Sequence, residues 1–279
     1  MVNNLTKKFA RKERTRKFFV KGYIWLVLAL MYAPILFLIA YSFTDTTTLG
    51  GWNGFTFRLY GKMFKNTELM TALGNTLLLA FVSALLSTLL GTIGAIGIYY
   101  SKARTQKIAN GASQVPVVNA EIVTAISLAL LFVVLLGKGN FSFFTLLIGH
   151  MVIATPFVVL SILPKLKQMD GNLYEAALDL GASPLRALLT VVLPEILPGI
   201  FSGFMLAVTL SLDDYIVTQF TRPSDFNTLS TYIYDQTKKA LPNEIRALAA
   251  LIFVLMLVVV VVMNVRASRA AKRRAQSKR

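Results

Sequence analysis

Long apolar runs separated by short polar segments dominate the chain, and none of the runs shows the two-residue alternation of a half-buried strand. Six such runs cover approximately residues 23–43, 73–100, 112–136, 141–163, 195–220 and 246–265. Each holds about 20 residues or more, the length a helix needs to cross roughly 30 Å of hydrocarbon. The pattern predicts an all-α membrane protein with six transmembrane helices. The first run is too long for the apolar part of a signal peptide and lacks a small-residue cleavage pattern behind it, so it is expected to persist as a helix. The second is rich in small residues. Gly91, Ala95 and the pair Gly94 and Gly97 are expected to let another helix approach closely, as packing inside a bilayer requires.

Composition supports this reading. The 279 residues are 55% hydrophobic and 15% charged, with a mean hydropathy of +0.62. A soluble domain carries about 25% charged residues. The net charge of +16 raises the question of nucleic acid, and its distribution answers it. Basic residues crowd the segments before Tyr23 and after residue 265. Such tails fit anionic membrane lipid and the positive-inside bias, not nucleic acid. Of the 29 lysines and arginines, 21 lie in the two tails and in the segments around 102–107 and 165–186, and 8 lie on the other side. That excess predicts cytoplasmic termini and a cytoplasmic 164–194 segment. Residues 44–72 and 221–245 are then external and long enough to form short structures of their own.

The absence of cysteine excludes disulfides, a thiol nucleophile and thiolate metal sites. No clustered metal ligands or nucleophile–base pair points to an enzyme. The chain also lacks the GxxxxGK[S/T] loop that cradles nucleotide phosphates.

Residues 164–194 read PKLKQMDGNLYEAALDLGASPLRALLTVVLP. Asn172 is expected to cap a helix of about eight residues, with Glu175 reaching back as in a capping box. Gly181 suits the left-handed position that ends such a helix. Ser183 and Pro184 suit the cap and first turn of a second helix, expected to run to Pro194 at the membrane edge. A helix–turn–helix of this kind could simply connect two spans.

Ionisable residues inside the runs are the candidates for chemistry, because each costs about 2.5–3.5 kcal/mol at the bilayer centre on insertion scales. Glu121 lies in the third run and is expected in the inner half or near mid-depth. Asp213 and Asp214, followed by Tyr215, lie in the fifth. As neighbours on one helix they would point about 100° apart, so one would face a pathway while the other caps, pairs or meets a neighbouring subunit. Lining a cation pathway is favoured over internal pairing because no lysine or arginine stands at membrane depth to neutralise them. His150, alone near a boundary, reads as a hydrogen-bonded packing residue.

The spacing Glu175-Ala176-Ala177, three residues, Gly181, nine residues, Val191-Val192-Leu193-Pro194 resembles the EAA loop of ABC-importer permeases, with Val191 where the family usually has Ile. Over nearly its whole length the chain also resembles the PotC-type spermidine/putrescine permeases. The stretches that carry this likeness are APILFLIAYSF, EIVTAISLALLF, TPFVVLSILPKLKQMD, EAALDLGAS and LSLDDYIV. The long basic amino terminus departs from that pattern.

The resemblance implies a type I ABC importer permease fold. It places a basic tail at 1–22 before the first span at 23–43, a permease domain over 69–264 that contains the EAA loop at 171–194, and a second basic tail at 265–279. It further implies that Glu175, Ala176, Ala177, Gly181, Ser183 and Pro184 couple to an ATPase, and that Glu121, Asp213, Asp214 and Tyr215 line a polyamine pathway. The expected partners are a second, PotB-like permease, a PotA-like ATPase dimer that binds ATP and Mg, and a PotD-like external polyamine-binding protein. This chain itself would hold no cofactor.

Overall fold

The computed structural model describes residues 2–46, 51–238, 242–255, 257–258 and 261, with side chains from Val20 onward. Among these residues every regular element is a helix. The chain divides into two compact units, Met1–Asn66 with Ala240–Arg279, and Thr67–Lys239.

In the first unit, α1 (Val2–Tyr41) contains an apolar portion, Val20–Tyr41, long enough to span a bilayer. It ends where the Ser42 hydroxyl donates to the Ile39 carbonyl (2.6 Å). An aromatic cluster follows, with Phe43 stacked on Phe55 (4.9 Å between centroids) and flanked by Phe57 and Tyr60. The expected short structure between the first two runs is α2 (Arg58–Lys65), whose Lys62 and Arg58 pair with Asp45 at 3.0 and 3.5 Å. A further helix over 244–255 belongs to this unit; its Glu244 accepts from Asn66 Nδ2 at 3.0 Å. The sixth run is therefore helical where it is described, and residues 262–265 and the C-terminal tail lie outside the described residues.

The second unit contains α3 (Thr67–Tyr99), α4 (Ala103–Val118), α5 (Glu121–Leu136), α6 (Phe143–Gln168), α7 (Asn172–Asp179), α8 (Pro184–Ala187), α9 (Leu193–Asp213), α10 (Ile216–Thr221) and α11 (Leu229–Thr237). Its core is a three-helix contact in which α3, α6 and α9 each touch the other two. Val158 of α6 fills the centre. A Cβ placed on Gly91 of α3 would stand 2.6 Å from Val158 Cγ1, and one on Gly203 of α9 would stand 3.1 Å from it. Two glycines thus allow both neighbours to close on one buried valine, and Ala84, Ala95, Ala154 and Ala207 continue the small-residue seams. The expectation for Gly91 and Ala95 holds. Gly97 differs: nothing lies within 4 Å of its would-be Cβ, so it takes no part in the close approach.

Two runs are not the single helices that the hydropathy pattern predicts. The third breaks into α4 and α5, which meet at a 102° bend. Pro116 removes a backbone donor within α4, and Asn119 and Ala120 are extended (ψ 145° and 129°). The fifth run stops at Asp213, and α10 begins only after Asp214 and Tyr215. At its other end the fifth run starts earlier than 195. From Pro184 the chain winds continuously through α8, a π-helical turn at Leu188–Val192, and α9. Pro194 therefore does not mark a boundary. Proline lacks an amide and its ring crowds the carbonyl four residues back, and one widened turn just before it relieves that conflict without ending the helix.

Candidate functional site

The two breaks lie together, because α10 packs against both α5 and α6. Glu121 opens α5 directly after the bend, where an acidic side chain suits the positive end of the helix. Asp213 closes α9 and is exposed, and no backbone amide caps that last turn. The Glu121 carboxyl comes within hydrogen-bonding reach of Asp214 and near Asp213. Glu121 and the adjacent pair Asp213 and Asp214, far from it in the sequence, therefore converge at two helix interruptions. Among the described residues no lysine or arginine pairs with any of them.

Asp214 is the structural member of the group. It is 8% exposed, and its carboxylate accepts from the amides of Val217 (3.2 Å) and Thr218 (2.8 Å) and from the Thr218 hydroxyl (2.7 Å). By capping the first turn of α10 it competes with continuation of α9, as aspartate does at helix ends. His150 of α6, 3% exposed, reaches the same carboxylate with Nε2 at 3.3 Å. Beyond it the bonds run from His150 Nδ1 to Ser211 Oγ (2.8 Å) and from Ser211 to Ser83 of α3 (3.0 Å).

A carboxylate only accepts, which orders the whole chain of bonds. Thr218 donates to Asp214 and accepts from His150 Nε2–H (3.0 Å). Nδ1 is then left to accept from Ser211, which accepts from Ser83. His150 is thus the packing residue that the sequence suggested, within a buried network tying α3, α6, α9 and α10 to one carboxylate.

Adjacent in sequence, Asp213 and Asp214 have opposite fates, but not for the expected reason. They do not sit 100° apart on one helix; the helix ends between them. Tyr215 turns toward α11 and packs against Tyr234 in a tilted contact, with centroids 4.4 Å apart. The partners Ser83, Ser211, Thr218 and Tyr234 were missed by the sequence reading, since hydroxyls in apolar helices and a tyrosine outside the apolar runs carry no distinctive spacing. The breaks did leave a signal. Pro116 and Asn119 precede Glu121, and an aspartate pair precedes the β-branched Ile216-Val217-Thr218, both of which read as helix boundaries.

The EAA-like segment lies apart as a second candidate site. Helix α7 spans eight residues, Asn172–Asp179. Asn172 is not its cap: Gly171 takes that position, and the Asn172 amide donates to Asp170 Oδ1 (3.0 Å), because an aspartate two residues upstream forms the local turn first. No side-chain bond closes the expected Asn172–Glu175 capping box.

Gly181 has φ +85° and completes a Schellman closure, with Gly181 N–H to Leu178 O (2.9 Å) and Ala182 N–H to Ala177 O (3.1 Å). Ser183 caps the next helix by accepting from the Arg186 amide (3.4 Å), with Pro184 at its first turn. Tyr174 packs on Tyr100 on the inner side of α7, with Ala177 half-buried. Glu175 and Ala176 point outward beside a rim of exposed leucines at 173, 180, 185 and 189.

Comparison with known proteins places these features in context. Residues 88–274 match the sequence family described as binding-protein-dependent transport system inner membrane component. The chain is 35% identical to the spermidine/putrescine transport system permease protein PotC of Escherichia coli K12, over 86% of this chain and 90% of that one. It is 33% identical to PotC of Haemophilus influenzae, over 88% and 95%, and 34% identical to the putrescine transport system permease protein PotI of E. coli K12, over 80% and 81%. Its fold is similar to a chain in the crystal structure of a bacterial ABC transporter involved in the import of the acidic polysaccharide alginate. The TM-score is 0.69 at 18% identity, covering 95% of this chain and 98% of the other.

Proposed function

Since the chain belongs to the family of binding-protein-dependent transport system inner membrane components, and is thus a multi-pass permease subunit of an ABC importer, we propose that its cargo is a polyamine. The observation that carries this reading is the convergence of Glu121, Asp213 and Asp214 at two helix breaks, with no lysine or arginine paired to them among the described residues. Interrupted membrane helices place their ends toward a pathway, and the carbonyl end of α9 adds its own negative potential. An aliphatic polycation brings the charge that such a site lacks. The spermidine/putrescine and putrescine systems to which the similar permeases belong point the same way.

In this reading both termini and α7 face the cytoplasm. ATP, with Mg, is hydrolysed by a separate ATPase dimer that seats α7 and the leucine rim through Glu175 and Ala176. A second permease completes the pathway, and an external binding protein delivers the polyamine. The test is uptake by the complete importer in proteoliposomes, with labelled spermidine and putrescine. Import that depends on ATP inside the vesicles, and that excess unlabelled polyamine competes away, is the expected result. Absence of import in an ATP-hydrolysing complex would reject the cargo and favour a permease for another small solute.

The coupling role makes a separate prediction. Replacing Gly181 with Val forces a β-branched side chain into a left-handed conformation, at a cost of about 1–2 kcal/mol to the closure that sets the exit of α7. Co-purification of the ATPase should fall severalfold together with uptake, while the melting temperature of the permease pair changes little. Full co-purification in both Gly181→Val and Glu175→Arg would remove α7 as the contact.

A further inference from the structure

Tyr215, Tyr234 and Lys238 form an arrangement that the carboxylate cluster alone does not explain. Tyr215 follows directly on the Asp213-Asp214 break and packs against Tyr234 of α11 in a tilted contact, with centroids 4.4 Å apart and rings inclined by 37°. Tyr234 remains 43% exposed, so part of its surface is open. Lys238, just past the end of α11, places its ammonium 4.8 Å from the centre of that ring.

Lys238 makes no ion pair among the described residues. Asp235 is instead paired with Arg222 at 3.6 Å. Arg222 is in turn held by Asn227 Oδ1 and the Phe226 carbonyl, so its charge is committed. The chain has therefore seated a primary ammonium on an aromatic face beside its acidic site.

We propose that the Tyr215–Tyr234 pair is an aromatic subsite for one ammonium group of the cargo, and that Lys238 occupies it as a tethered stand-in until an alkylammonium displaces it. The inference rests on the polyamine reading above. The chemistry is shared. A lysine side chain is a primary ammonium on a methylene chain, as is each end of a linear polyamine, and an aromatic face attracts either one electrostatically. Division of labour follows from position. The carboxylates Glu121 and Asp213 would take one charged end, while the ring pair takes another without adding fixed negative charge that would slow release. The tethered lysine lowers affinity in the empty state and keeps an inorganic cation from settling there.

The test measures equilibrium binding of radiolabelled spermidine to the assembled importer in lipid nanodiscs, without the external binding protein. Tyr234→Leu should weaken binding about threefold to fivefold, and Tyr234→Phe, which keeps the π face, should stay within about twofold of wild type. Lys238→Gln should bind spermidine more tightly, by about twofold to fivefold, because the internal competitor is gone. A purely structural role for the stack predicts no gain from removing Lys238. A Lys238→Gln importer that binds no tighter than wild type therefore overturns the subsite. If wild type binds spermidine and the Tyr234→Leu and Lys238→Gln importers bind it equally well, the subsite alone fails. If wild type binds no polyamine, the cargo assignment fails and takes the subsite with it.

Discussion

Replacing Asp213 with Asn should remove most uptake while leaving the permease as heat-stable as wild type, whereas replacing Asp214 with Leu should lower both. The difference follows from what each carboxylate touches. Asp213 is exposed at the open end of α9 and makes no hydrogen bond within the described structure, so only the charge offered to a passing cation is lost. Asp214 is buried and accepts from two amides and one hydroxyl, with His150 Nε2 at 3.3 Å.

A leucine there leaves several buried donors without an acceptor, at about 1–3 kcal/mol for each that water cannot reach. The first turn of α10 loses its cap as well, for about 1 kcal/mol more. Asp214→Asn keeps one acceptor oxygen and should fall between the two in stability. Thermal unfolding of the purified complex, set beside spermidine uptake, separates these outcomes. Normal uptake by Asp213→Asn, or equal destabilisation by both variants, would contradict the assigned roles.

The second large effect is steric. Gly91→Leu should prevent the α3–α6 contact from closing, since its first side-chain atom already stands 2.6 Å from Val158 Cγ1 and 2.7 Å from Val158 Cβ. Overpacking of this kind costs about 1–3 kcal/mol when neighbours can shift, and Val158 has little room because Gly203 closes on it from α9. The expected result is a sharply reduced yield of folded permease.

Val158→Ala should restore part of that yield when combined with Gly91→Leu, although alone it leaves a cavity and destabilises. The non-additivity of the pair is the diagnostic quantity, because distant sites would simply add. Gly97→Leu serves as the control and should be tolerated, as its would-be Cβ meets nothing within 4 Å.

The coupling segment shows how local rules succeed and where they stop. Gly181, Ser183 and Pro184 behave as their backbone chemistry dictates, because a left-handed turn, a hydroxyl cap and a missing amide act within a few residues. Asn172 failed as a cap for an equally local reason: Asp170 bound the amide first. Pro194 failed for a different one. The helix runs on through the proline, because one widened turn at Leu188–Val192 accommodates its missing amide and its ring.

What the sequence determined by itself was the class of the protein. Charge-poor runs of membrane length, a basic excess in the tails and certain loops, and the spacing around Glu175 and Gly181 required no tertiary information, since the bilayer and the backbone impose those constraints locally. It also supplied the three carboxylates, but as unconnected residues on two apparently continuous helices. Only the tertiary structure decided that both helices break and that Glu121 meets Asp214. Only there does Asp214 prove to belong to a buried network through His150 while Asp213 stays open. Hydropathy averages over a window and cannot see a two-residue interruption, and a hydrogen bond from α6 to α10 has no signature in the spacing along either helix.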